Sequence, residues 1–340
     1  MAVAALLGLQ SFFTSGAWTV IPLKYWIRNS ADDYMVSSWR TDALKRNPPK
    51  QPLVVMLAGS SGREAIWSGP SLAAQVKADG GPSIVASNLS SSRQAIGQSL
   101  AIVDNLPSTS STTVLVGINL TRMYDPPSIS LQQIVGRKLL LQSNTLRQFA
   151  ISHFGTYKHS YTILPGLLDS LATWLAAYSA QLLSGHLEPI QYITHPVDTR
   201  SQMNPKRLRR LRKWAASEEL NGETKKNFSV VLSLLDELIK RSKERGFNVV
   251  FVDLPQNPGI TSPGLKKLRA YYQPSVHALA AKYGIPYLDF NKQLKLTVND
   301  FYDFSHIRAI GRNLWQAELS KELVRLYRSG VIPGGKVGQK

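Results

Sequence analysis

The chain has 340 residues, 43% of them hydrophobic, which is enough for one large domain or two small ones with a buried core and excludes disorder as the default state. It has no cysteine, so a disulfide framework, a thiolate zinc site and a cysteine nucleophile are excluded. A formal net charge of +18 points to nucleic acid, anionic lipid or an anionic polymer as partner without choosing among them.

Residues 1–23 carry no charged side chain, and the run over 2–23 matches the roughly 20 residues that cross a bilayer as a helix. Gln10, Ser11, Thr14, Ser15 and Thr19 dilute it, so a cleaved signal peptide or a peripheral helix stands beside the membrane anchor. Lys24 and Arg28 follow the run and no basic side chain precedes it, so the positive-inside rule alone places the rest of the chain in the cytoplasm. Residues 24–51, rich in charge and proline, read as a polar connector.

Five short apolar runs follow, at 53–58, 83–87, 113–118, 248–254 and 286–290, each bounded by Gly, Pro, Asn or Asp, as buried parallel strands are. Helical patterns lie between and after them at 62–77, 93–105, 223–245, 263–283 and 307–328. The alternation predicts an α/β domain over 52–328, a doubly wound and mainly parallel five-stranded sheet flanked by helices. About 130 residues separate the third and fourth strands instead of one crossover helix, so a helical insertion is expected at about 155–222. Within it an apolar stretch, 161–183, precedes the basic cluster Lys206, Arg207, Arg209, Arg210, Arg212 and Lys213. Two readings stand for this pair: a segment resting on an anionic membrane, or a cap helix on the core followed by a solvated basic helix. Residues 329–340 read as a frayed tail.

In an open α/β sheet, ligands sit at the carboxyl ends of the strands. The first run ends in Gly59-Ser60-Ser61-Gly62, leading into a helix, which places Ser61 where free backbone N–H groups can serve an oxyanion; the plainer alternative is that the two serines cap the helix. The third run delivers Asn119 to the same edge, a candidate oxyanion donor or an ordinary turn residue. Near the C-terminus, Asp303 precedes His306 by three residues, a spacing at which a carboxylate can hold one imidazole nitrogen while the other faces a nucleophile.

Together these residues resemble the SGNH/GDSL hydrolase superfamily, and more closely its membrane-linked branch of cell-envelope O-acetylation and D-alanyl transfer proteins. Gly59-Ser60-Ser61 is similar to the Gly-Asp-Ser block, Gly117-Ile118-Asn119 to the Gly-x-Asn-Asp block with Leu120 in place of the last Asp, and Asp303 with His306 to the Asp-x-x-His block. The resemblance implies a flavodoxin-like SGNH fold and a triad of Ser61, His306 and Asp303. The oxyanion glycine of the second block falls at Arg93, whose side chain either contacts an anionic substrate or alters the oxyanion hole.

The implied activity is that of a serine esterase or O-acyltransferase on an acylated envelope glycan or a small ester, or else of an inactive module binding a glycan or a partner membrane protein. An extracytoplasmic domain, an anionic membrane surface and a membrane-bound acyltransferase partner belong to the same expectation. The other histidines, His153, His159, His186, His195 and His277, lack metal-site spacing, and no phosphate-binding glycine loop follows the first strand, so neither metal nor other cofactor is expected. The basic cluster lacks interleaved aromatics apart from Trp214, which disfavours nucleic acid. Asp253, at the end of the fourth run, is a substrate contact or, more plainly, a loop cap.

Overall fold

Each of the five apolar runs forms a strand, and the first, third and fourth, runs of Val, Ile and Leu with little polar alternation, are covered on both faces. The computed structural model describes residues 8, 11–12, 15–23, 33–108, 111–124, 141, 143–154, 183 and 194–333. Strands β1 (Leu53–Leu57), β2 (Val85–Asn88), β3 (Thr112–Ile118), β4 (Asn248–Asp253) and β5 (Tyr287–Asp289) pair in parallel in the order β2-β1-β3-β4-β5.

The described α-helices are α1 (Asp33–Arg46), α2 (Ser60–Ala65), α3 (Gly69–Ala78), α4 (Ile96–Asn105), α5 (Leu120–Tyr124), α6 (Asn144–Phe154), α7 (Pro205–Ser217), α8 (Gly222–Glu244), α9 (Pro263–Tyr283) and α10 (Ala309–Arg328). Successive side chains of β1 point to opposite faces. Leu53, Val55 and Leu57 join a core with α4, α8 and α9, while Val54 and Met56 join Leu72 and Val76 of α3 and Trp315, Leu319 and Leu323 of α10. The sheet is therefore doubly wound, as expected, and the order 2-1-3-4-5 opens its crevice between β1 and β3, where the strand order reverses.

Several boundaries differ from expectation for local reasons. The helix expected over 62–77 is two, α2 and α3, because Ser68 caps a new start by accepting from Ser71 N, with Pro70 in the first turn. The helix expected from 93 begins at Ile96, after a turn in which Arg93 has φ 53°. The tail begins seated rather than frayed: Ile332 is buried.

The stretch read as a connector carries α1, which packs against α4. Its buried face is largely polar, so no apolar stripe announced it. Ser38 and Thr41 hydroxyls donate to the carbonyls of Tyr34 and Ser37 four residues back, and Ser37 donates to Leu89 O. Trp18, from the uncharged N-terminal run, is fully buried and donates to Asp42 Oδ2 at 2.7 Å. Among the described residues no helix is long and apolar enough to cross a membrane. Residues 1–7, 9–10 and 13–14 of the span candidate lie outside the described residues, as do 161–182 of the inserted apolar stretch. The basic cluster lies on α7, whose Leu208, Leu211 and Trp214 pack inward on the core.

Candidate active site

The serine turn is built by close packing at the ends of β1 and β3. A Cβ on Gly62 would lie 2.2 Å from the Ala58 Cβ, and one on Gly117 would lie 2.6 Å from the same atom, so both glycines are needed for the turn to sit this low on the sheet. Gly59 is the N-cap of α2 and no side chain caps it, which removes the capping role considered for Ser60 and Ser61.

Adjacent residues at a helix start project about 100° apart, so only one of the two serines can face the crevice. It is Ser60: its Oγ lies 2.7 Å from His306 Nε2. Ser61, expected as the nucleophile, is buried at 2% exposure and accepts a hydrogen bond of 2.8 Å from Asn119 Nδ2. The motif register pointed to Ser61, whereas the side chain that meets His306 is that of its neighbour Ser60.

His306 Nδ1 lies 2.8 Å from both carboxylate oxygens of Asp303. An ionised carboxylate only accepts, so Nδ1 carries the proton, Nε2 is the bare acceptor, and the Ser60 hydroxyl donates to it. Burial pushes the Asp303 carboxyl up, but its bond to His306, the attraction of that ring whenever it is protonated and the Ser305 and His306 amides together take it below the usual carboxylate value. The loop is a tight antiparallel bend rather than a helix start. Phe301 bridges Ile307, Tyr302 N donates to His306 O at 2.8 Å, and Asn257 donates from Nδ2 to Asp303 O and from its backbone to Phe304 O.

The two expected oxyanion residues come to the same edge in altered form. Asn119 is buried, with Oδ1 accepting from Arg122 N and Thr121 Oγ1, while one of its amide hydrogens is engaged by Ser61. Arg93 is exposed, and among the described residues it is the one non-glycine with positive φ. That backbone is one a glycine would adopt freely. The turn holding it is tied to the serine turn through Ser91 N donating to Ala58 O at 3.2 Å.

Residues that sequence reasoning did not single out hold this half of the site. Arg122, buried, reaches Gln94 O at 2.8 Å, Gly117 O at 2.5 Å, Leu57 O at 3.3 Å and Ser99 Oγ at 2.6 Å, joining the ends of two strands to the Arg93 turn. Arg63 pairs with Asp33 and with Glu64 Oε1, and Glu64 Oε2 meets Arg312 Nη2 at 3.2 Å, while Arg312 Nη1 donates to Asp198 Oδ2 at 2.6 Å. Glu64 and Arg312 are wholly buried. Charged residues directly behind a serine turn, Arg63-Glu64, were the only available signal.

Asp253 is fully buried against Arg269 Nη2 at 2.5 Å, and burial pushes its carboxyl up to about 7, so it is a structural group and not a substrate contact. Among the described residues no group of three or more His, Asp and Glu side chains is placed to hold a metal ion. Compared with known proteins, the sequence matches no protein-family model and no curated protein.

Proposed function

We propose that this chain is a serine hydrolase or O-acyltransferase of SGNH type acting on ester bonds, with Ser60 as nucleophile, His306 as general base and Asp303 as its orienting carboxylate. The observation that carries the reading is the continuous relay Ser60 Oγ, His306 Nε2, His306 Nδ1, Asp303, with separations of 2.7 and 2.8 Å, at the carboxyl edge of a doubly wound sheet. With Ser60 in that role the first motif block becomes Ala58-Gly59-Ser60 and loses its leading glycine, so the catalytic geometry supports the reading more than the motif does.

In the proposed reaction His306 Nε2 takes the Ser60 proton as Oγ attacks the ester carbonyl, and Asp303 stabilises the resulting imidazolium. The oxyanion faces the first-turn amides of α2 at Ser60 and Ser61, upstream of the first helical bonds made by Gly62 and Arg63 to Gly59 O. The second Asn119 amide hydrogen and the Arg93 turn complete that side. His306 then returns the proton to the leaving alcohol, and the acyl-serine passes to water in an esterase or to a sugar hydroxyl in a transferase.

An acylated envelope glycan as substrate, an extracytoplasmic domain, an anionic membrane surface and a membrane-bound acyltransferase partner rest on the resemblance in motif order; the charge pattern after residue 23 opposes the extracytoplasmic placement. A second reading, an inactive module that binds glycan or a membrane protein, is favoured by two observations: the Asn119 amide is engaged by Ser61, and Arg93 occupies a glycine-like backbone. Fluorophosphonate labelling of the full chain, with the adduct located by mass spectrometry, tests the two. We expect an adduct on Ser60 that is lost in Ser60→Ala and His306→Ala and kept in Ser61→Ala. An adduct on Ser61 would transfer the role back, and no adduct in folded protein would leave the binding module.

A further inference from the structure

The loop that carries the catalytic pair also carries an aromatic ring pressed between cations. Tyr302 immediately precedes Asp303, and its amide is fixed to His306 O. The Arg207 guanidinium carbon lies 3.3 Å from the Tyr302 ring centroid and that of Arg200 lies 5.1 Å from it. Arg308 Nη1 donates to Arg200 O at 3.1 Å, bringing a third guanidinium to the same rim. Helix α7 is docked on this loop at a second point, with Trp214 and Phe304 ring centroids 5.4 Å apart, so Arg207 is held in place by the packing of its helix.

We propose that Arg207 and Arg200, with Arg308 beside them, form a subsite for an oxyanion, carboxylate or phosphate, carried by the substrate next to its scissile ester. The proposal rests on the ester-chemistry reading above and adds the substrate class.

Three features support it. Among the described residues none of these three arginines has a carboxylate within ion-pair distance; Asp198 turns its Oδ2 to Arg312 and buries its Oδ1, Asp303 is engaged by His306 and Asp300 by Thr297. Arg207 is half-buried, and its Nε, out of reach of solvent, has no hydrogen-bond partner among the described residues, so the cation is incompletely satisfied by the chain. Stacking on Tyr302 fixes the plane of the Arg207 fork, and a planar fork of donors matches a carboxylate or phosphate in two-point contact. Hydrogen bonding to the Arg207 guanidinium, then to that of Arg200, with their positive charge adding to it, holds the Tyr302 hydroxyl below the ordinary tyrosine value. The plainer account, solvated arginines stacked on a tyrosine, leaves the three clustered cations without a counter-charge among the described residues.

The test uses the full chain and three acetyl esters of one shape: phenyl acetate, 4-acetoxybenzoate and 4-acetoxyphenyl phosphate. In Arg207→Gln, kcat/KM for the preferred anionic ester should fall at least about tenfold while phenyl acetate stays within about twofold, the loss expected when one charge-assisted bond is removed. Arg207→Lys should recover only part of the loss, and Arg209→Gln, on the exposed side of the same helix, none should be lost. Whichever anionic ester is favoured by the wild type identifies the oxyanion. A parallel fall on phenyl acetate, or no change on either anionic ester in folded Arg207→Gln, overturns the proposal. Calorimetric titration with benzoate and with inorganic phosphate separates the two readings if no ester is turned over: binding lost in Arg207→Gln keeps the anion subsite while the esterase reading falls, and absence of binding of either anion to the wild type overturns the subsite.

Discussion

The catalytic side chains of the histidine side are oriented by bonds within a few residues of one another, with Asn257 tying their loop to the rest of the fold, and the serine side is shaped by contacts that arrive from everywhere else in the chain. Asp303 meets His306 three residues away, two amides of the same loop bond the carboxylate, and a bridge between Phe301 and Ile307 closes the bend. Ser60, by contrast, stands on a turn whose shape depends on two glycines from different elements, on Arg122 spanning two strand ends, and on a buried run of alternating charges from Asp33 through Arg63, Glu64 and Arg312 to Asp198. A site divided in this way should separate chemistry from stability: changes on the histidine side should cost rate, and changes on the serine side should cost folding.

The sharpest way to break that comparison is Asp303→Asn. The amide keeps the volume but no longer enforces the proton on Nδ1, so ester turnover should fall by about 10³ to 10⁴-fold, with a modest fall in melting temperature near neutral pH, where the ionised carboxylate, one-quarter exposed, stabilises the fold. In acid the variant should behave differently from the wild type. The Asp303 pKa is lowered in the fold, so its stabilisation is present above the unfolded carboxylate value and lost as pH falls through the folded one. Melting temperatures taken across that range should therefore show a steeper acid loss in the wild type than in Asp303→Asn. An equal loss of stability at neutral pH would mean the loop is not self-supporting.

Next in size is Glu64→Gln, which takes the charge from the centre of the buried network and leaves Arg63 and Arg312 facing an uncharged amide. Breaking a buried pair on one side costs about 3–5 kcal/mol, read as a shift in the denaturant midpoint. Unchanged stability would show that α2 is held by the glycine packing and Arg122 alone. The same substitution should leave the labelling of any remaining folded protein on Ser60, since Glu64 touches neither reacting serine nor histidine.

The same division decides what the sequence could disclose. The strands and the doubly wound sheet were legible because buried parallel strands declare themselves as uninterrupted apolar runs, and the Asp303–His306 pair because it lies within one loop. Helix α1 was hidden because its buried face is largely serine, threonine and aspartate, satisfied by carbonyls four residues back and by Trp18 from the N-terminal run. Nothing in spacing relates Glu64 to Arg312 across 248 positions. Ser60 and Ser61 differ only in which way each projects from the helix start, and that direction is set by the meeting of α2 with a loop from the far end of the chain.

The smallest effect concerns Arg93. Its φ of 53° lies in the left-handed region, where a non-glycine residue costs roughly 1 kcal/mol, and glycine removes that cost while adding freedom to the unfolded chain. Arg93→Gly should therefore raise the melting temperature slightly or leave it level, the opposite sign to Glu64→Gln although both residues lie on the serine side. Turnover of a neutral ester should be unchanged or higher, because the backbone N–H is retained and a bulky exposed side chain is removed from the turn tied to Ala58 O. A large fall confined to anionic esters would instead place Arg93 with Arg207 as a second contact to the substrate's charge, extending the cationic rim from the histidine side across to the serine side.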